Sequence, residues 1–207
     1  MTITGRARPL PADERRAAIA QAALPLVLAH GRSVTTRQIA GAAGVAEGTL
    51  FHVFDDKDAL IAAVVASVLQ PGQVAAELAA IGCAQPLHDR VVQIVEVLRQ
   101  RMRLIFELMT ALGMSGPPEV AGAELPERRA TRLKQLTDTI TALLQPDADR
   151  LRYPPAETAR LIRLFTFAAS HPALTDESPL SASQIADVLL SGITLAPTRH
   201  ADAHGGR

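Results

Sequence analysis

Thiol chemistry is almost absent from this chain, because Cys83 is its only cysteine. An intrachain disulfide is therefore excluded, as suits a reducing compartment. With no second cysteine and no activating cation evident beside it, Cys83 reads as an inert small side chain rather than a redox sensor. Aromatic residues are scarce, with five phenylalanines, one tyrosine and no tryptophan, and β-branched runs bounded by turn residues are few, which argues against a sheet. Formal net charge is zero, so no broad basic or acidic face defines a partner. No apolar stretch reads as a membrane span, and Met1 to Leu10 lacks the apolar core of a signal peptide. The expectation is a soluble, cytoplasmic protein with no membrane partner.

Catalytic constellations are missing too. The histidines (His30, His52, His88, His171, His200 and His204) fall on separate elements without metal-type pairing. Glycines 41, 44 and 48 have the spacing of neither a P-loop nor a dinucleotide fingerprint. The sequence predicts no catalytic residues, no metal, no cofactor and no enzyme activity.

What remains is a chain of 207 residues, 48% of them apolar, in which alanine, leucine and arginine dominate. That composition predicts an all-α fold with ample core. Asp13 and Glu14 open a first helix, with Ile19, Ala23, Leu26 and Val27 as its core stripe and Gly31 as its stop. Pro25 lies inside it and predicts a bend without a break. Thr35 and Gln38 have capping-box spacing, so a second helix begins there with Ile39 and Ala43 inward, and Gly44 ends it. Val45 plugs the turn, and Leu50 and Phe54, four residues apart, predict the buried stripe of a third short helix. Glu47, Gly48, Thr49, Phe51 and His52 then face outward. Two short helices joined through a glycine turn, the second with exposed polar and aromatic residues, form a helix-turn-helix able to enter a major groove.

The set Ile39-Ala40, Ala43-Gly44-Val45, Gly48-Thr49-Leu50-Phe51, Phe54 and Lys57-Asp58-Ala59-Leu60 resembles the DNA-binding domain of TetR-type (tetracycline-repressor-like) transcriptional regulators over about residues 11 to 66. The resemblance implies a three-helix DNA-binding domain at residues 11–70, a larger helical effector-binding and dimerisation domain at 71–196, about nine helices in all, and flexible tails at 1–10 and 197–207. The basic arm at 1–10 reads either as a minor-groove contact or as a loose terminus. DNA contacts are expected from Thr36, Arg37, Ala46, Glu47, Gly48, Thr49, Phe51, His52 and Lys57. Thr49 is a phosphate or base contact, or else a capping hydroxyl. Glu47 either accepts from a cytosine amine or serves only as a helix charge. Phe51 stands where a tyrosine would add a hydroxyl-to-phosphate bond, and Val53 stands where the family often has a contact. Within residues 1–70, Arg6, Arg8, Arg15, Arg16, Arg32, Arg37 and Lys57 face Asp13, Glu14, Glu47, Asp55, Asp56 and Asp58, a surplus of one positive charge. Phosphate binding must then depend on a few placed cations and backbone amides.

Asp55 or Asp56 caps a fourth helix that runs to Pro71-Gly72. Beyond it, apolar periodicity predicts helices over about 74–81 and 87–112, from Pro126 onward, from Pro154-Pro155, and from Ser181 or Ser183. Arg128, Arg129, Arg132 and Lys134 read as a solvated face. By resemblance, Met102, Phe106, Met109, Thr110, Leu136, Ile140 and Phe165 line an effector pocket or else form ordinary core. By the same resemblance, Leu161, Leu164, Phe167, Ile185, Val188 and Leu189 form a homodimer interface. The implied function is a homodimeric repressor of a palindromic double-stranded DNA operator, released by a small, largely apolar ligand. The alternative is a dimeric ligand-binding helical protein whose degenerate head does not read DNA.

Overall fold

The computed structural model describes residues 11–70, 72–114, 126–175 and 179–193. The expected tails at 1–10 and 197–207 lie outside these. The described residues form nine α-helices and no strand: α1 (Ala12–His30), α2 (Thr36–Ala43), α3 (Glu47–Val53), α4 (Lys57–Leu69), α5 (Gly72–Ala79), α6 (Leu87–Ala111), α7 (Pro126–Leu144), α8 (Pro155–Ser170) and α9 (Ala182–Ile193). The all-α expectation is met. The chain divides into two compact units, one from residues 1–73 and 100–133, the other from 74–99 and 134–207.

In the first unit, α1 buries Ile19, Ala20, Ala23 and Val27. Pro25 is exposed, and the helix continues through it to His30 without a break. Gly31 then turns the chain at φ 54°. A Cβ there would stand 2.0 Å from the Ala111 carbonyl oxygen, so glycine is required by space as well as by conformation. Asp56, not Asp55, caps α4 by accepting from the Ala59 amide at 2.7 Å. Leu60, Ile61, Val64, Val65 and Val68 of α4 share the core with Leu108 and Leu112 near the end of α6. The last carbonyls of α4 are held by two guanidinium groups: Arg101 donates to Gln70 at 2.6 Å and Arg132 to Leu69 at 3.1 Å. Positive charge at a helix C-terminus is favourable, and Arg132 thereby leaves the solvated face expected of it. Lys134 is exposed and pairs with Asp138 at 2.6 Å.

One expectation about apolar stretches needs correction, since residues Lys57–Ala79 are long and apolar enough to cross a membrane. The stretch is shared between α4 and α5, and α4 is apolar because five of its residues are buried in the core just described.

In the second unit, Val74 and Leu78 of α5, Val91, Ile94, Val95 and Leu98 of α6, Ile140 and Leu144 of α7, Ile162 of α8 and Ile185 of α9 build one core. Ser181 rather than Ser183 opens α9, in a reciprocal pair in which its hydroxyl accepts from the Gln184 amide and its own amide donates to the Gln184 side chain. A buried polar cluster lies inside this unit. Arg90, only 1% exposed, pairs with Asp147 and donates to the Cys83 carbonyl, while Arg150 donates to the other Asp147 oxygen. The cluster ties α6 to the loop before it and to the 3-10 segment Gln145–Arg150 after α7.

Two outcomes follow from this packing. Asp147→Ala leaves Arg90 buried without its carboxylate and should cost about 3–5 kcal/mol of stability, whereas replacing both residues by apolar ones of similar volume should cost much less; urea unfolding of both variants checks this. At the N-terminus of α6, the His88 ring is raised above its ordinary pKa by hydrogen bonding to Asp187, with Asp89 adding to it. A raised folded-state pKa means that the stabilisation is complete below the unfolded value of about 6.5 and is lost as pH rises through the higher folded value. Thermal unfolding should therefore show a small loss of stability across that window, reduced in Asp187→Asn, where only Asp89 still raises the ring.

Candidate nucleic-acid interface

The site begins with the backbone of α2. Thr35 is extended and caps the helix, accepting from the Gln38 amide at 3.2 Å, while the Gln38 side chain returns to the Thr35 amide at 2.8 Å. The predicted capping box is thus present. At the far end Gly44 adopts the left-handed conformation at φ 66°. Its amide reaches the Gly41 carbonyl at 3.3 Å and the Val45 amide reaches Ala40 at 3.0 Å. This double bond pattern is a Schellman stop, which ends a helix sharply because the reversed φ suits glycine. Ile39 and Ala40 are buried, and Ala43 and Val45 are half-buried against the same core.

Ala46 is extended and supplies no side-chain cap to α3. The start of α3 is tied instead to α2, because the Thr36 hydroxyl donates to Glu47 Oε1 at 2.5 Å. Leu50 is buried within α3. Phe54 corrects the sequence reading. It is buried as expected, but it lies one residue past the helix, in extended conformation at φ −131°, ψ 133°. Four-residue spacing cannot separate the last turn of a helix from an inward residue just after it.

The C-terminal end of α3 is held by a residue that sequence reasoning missed. Arg16 on α1 donates to the Val53 carbonyl at 2.9 Å, and its guanidinium lies 4.5 Å from the centroid of the Phe54 ring. One cation thus satisfies a terminal carbonyl and stacks on an aromatic face. No local signal reveals it, since the partners are 37 residues apart.

On the outer surface, Glu47, Gly48, Phe51 and His52 are exposed, Phe51 to 54%, and Thr49 is half-exposed. Gly48 has ordinary helical geometry, and a Cβ added to it would meet nothing within 4 Å. Thr36 is half-exposed, while Arg37 and Ala46 are exposed. Arg37 makes no hydrogen bond or ion pair among the described residues. Lys57 is half-buried, and its ammonium donates to the Arg32 carbonyl at 2.6 Å, with Arg32 pairing to Asp58 at 2.9 Å. An ammonium has three donors, so this bond leaves Lys57 capacity for a further acceptor.

The expected effector residues fall in both units. Met102, Phe106, Met109 and Thr110 belong to the first; Leu136, Ile140 and Phe165 belong to the second. Ile140 is wholly buried in the second core, with Leu136 and Phe165 packed at its margin. Met109 lines an apolar groove in the first unit, between Val65, Val68 and Leu69 of α4 and Ile105 and Leu108 of α6 with Leu112 just past its end, enclosing about 220 Å³ including its open mouth. Of the expected interface residues, Leu164, Phe167 and Val188 are exposed to 44%, 44% and 51%. Leu161 is half-buried, while Ile185 and Leu189 are core. No group of three or more histidine, cysteine or acidic side chains able to hold a metal occurs among the described residues.

The family model described as "Bacterial regulatory proteins, tetR family" matches residues 19–64, the span from α1 through most of α4. Over those residues the chain is similar to the N-terminal domain of that family. Solved structures agree on the fold. A TetR-family transcriptional regulator from Mesorhizobium loti superposes with a TM-score of 0.63 at 15% identity, covering 90% of this chain and 100% of its own. A transcriptional regulator from Rhodococcus sp. RHA1 gives 0.61 at 18% identity, covering 88% and 99%. The ketosteroid transcriptional regulator KstR2 of Mycobacterium tuberculosis gives 0.52 at 19% identity, covering 94% and 100%. No curated protein matches the chain.

Gly48 yields a test at this surface. Glycine in a helix is less stable than alanine by up to about 1 kcal/mol, and nothing inside the protein requires it here. Gly48→Ala should raise the melting temperature slightly and, if backbone approach to the duplex is its role, weaken DNA binding at the same time.

Proposed function

We propose that the protein is a homodimeric, cytoplasmic repressor that binds a palindromic operator through two helix-turn-helix heads and is released by a small, largely apolar ligand. The observation that carries this reading is the outer face of α3, where Glu47, Gly48, Thr49, Phe51 and His52 stand clear of the core on a helix fixed at both ends. Thr49 and Arg37 contact phosphates or base edges, Phe51 packs on sugars or a thymine methyl, and His52, Thr36, Ala46 and Lys57 complete the contact surface. Dimerisation is supported by Leu164 and Phe167 of α8 and Val188 of α9, large apolar side chains exposed on helices whose other faces are core. The apolar groove between α4 and α6 and the half-buried Met102, Phe106 and Met109 support an apolar effector. Half-sites lie about one turn of DNA apart or a multiple of it.

A second reading, a dimeric ligand-binding protein with a degenerate head, is favoured by one observation. Arg16, Arg32 and Lys57 all donate to groups within the protein, which thins the cations available to phosphate. Gel shift on the gene's own upstream DNA at low salt, with light scattering, separates the two. The repressor reading expects a dimer and a shifted band, and loss of affinity by about tenfold or more in the Arg37→Ala, Thr49→Ala double variant at unchanged melting temperature. A monomer that shifts nothing would sink it.

A further inference from the structure

The bond between Thr36 and Glu47 carries one step beyond general DNA contact, and this step rests on the DNA-binding reading above. We propose that Glu47 selects a cytosine in each half-site and that Thr36 is the residue that positions it. Glu47 is exposed on the outer surface of the helix-turn-helix, beside the open space at Gly48. Its Oε1 receives the Thr36 hydroxyl at 2.5 Å, and its Oε2 has no partner among the described residues. No cation pairs with it there either. The free oxygen therefore belongs to a carboxylate that only accepts hydrogen bonds.

Such a group has a narrow choice of partner on a duplex. Phosphate repels it, since like charges at contact distance are unfavourable even in water. In the major groove, guanine offers two acceptors, thymine offers an acceptor and a methyl group, and adenine sets its amine beside the N7 acceptor. Cytosine offers the N4 amine with no acceptor next to it on the same base. A carboxylate therefore favours cytosine and disfavours the other three bases. Thr36 contributes by restricting Glu47, whose unrestrained side chain would lose rotamer freedom on reaching a base.

The test is selection from a randomised duplex library by the full-length protein at low salt, alongside Glu47→Gln, Glu47→Ala, Thr36→Val and Thr36→Ser, each checked by thermal melting. The wild type should require cytosine at one position of each half-site. Glu47→Gln should lose that preference by about tenfold or more, shifting toward adenine, while the rest of the motif stays. Thr36→Val should weaken the preference at that position alone, and Thr36→Ser should restore it. Folded Glu47 variants that select the wild-type motif with cytosine preference intact would overturn the inference. A wild type that enriches no motif at all would instead bring down the DNA-binding reading, and this inference with it.

Discussion

A helix of seven residues has about two turns, and helices so short are not stable on their own in water. The head is built around supplying α3 with the stability it lacks. Its entry is set by the left-handed residue at Gly44 and an extended Ala46, and its first residue is tethered to α2 through Thr36. Its exit is held by Arg16 from α1. Leu50 and Phe54 then anchor it from below. Because each tether comes from a different element, the outward residues take their direction from the whole three-helix assembly rather than from α3 alone.

The same economy governs charge. A head with almost balanced charge cannot rely on a diffuse positive field, and several of its cations already hold the fold. Arg16 caps a helix, Arg32 pairs with Asp58, and Lys57, the first residue of α4, donates to the Arg32 carbonyl in the turn after α1. Arg37 stands apart from these uses. Affinity for a polyanion in such a head must come from a small number of well-placed contacts rather than from a diffuse field.

Legibility in the sequence followed the range of each interaction. The capping box at Thr35 and Gln38, the stop at Gly44 and the start of α7 at Pro126 are set by neighbours within a few residues, and all were readable. The face carrying Glu47 to His52 followed from periodicity in the same way. Arg16 over Phe54, Arg132 on Leu69 and the Arg90 to Asp147 pair join residues far apart in the chain, and nothing local marks them. Phe54 shows the middle case: its burial was legible and its conformation was not, because an inward residue after a helix has the same spacing as one inside it. The groove beside Met109 could not be read either, since it depends on how closely α4 and α6 approach.

Gly31 has a consequence for anyone who treats the head as a portable module. Its backbone lies so close to the Ala111 carbonyl that not even a methyl group fits between them. The corner after α1 and the last turn of α6 therefore meet as main chain against main chain, with no side chain to cushion a mismatch. Transplanting residues 11–70 onto another protein would strand that corner against an unfamiliar surface. The transferable piece is a discontinuous one, in which the end of α6 travels with the head.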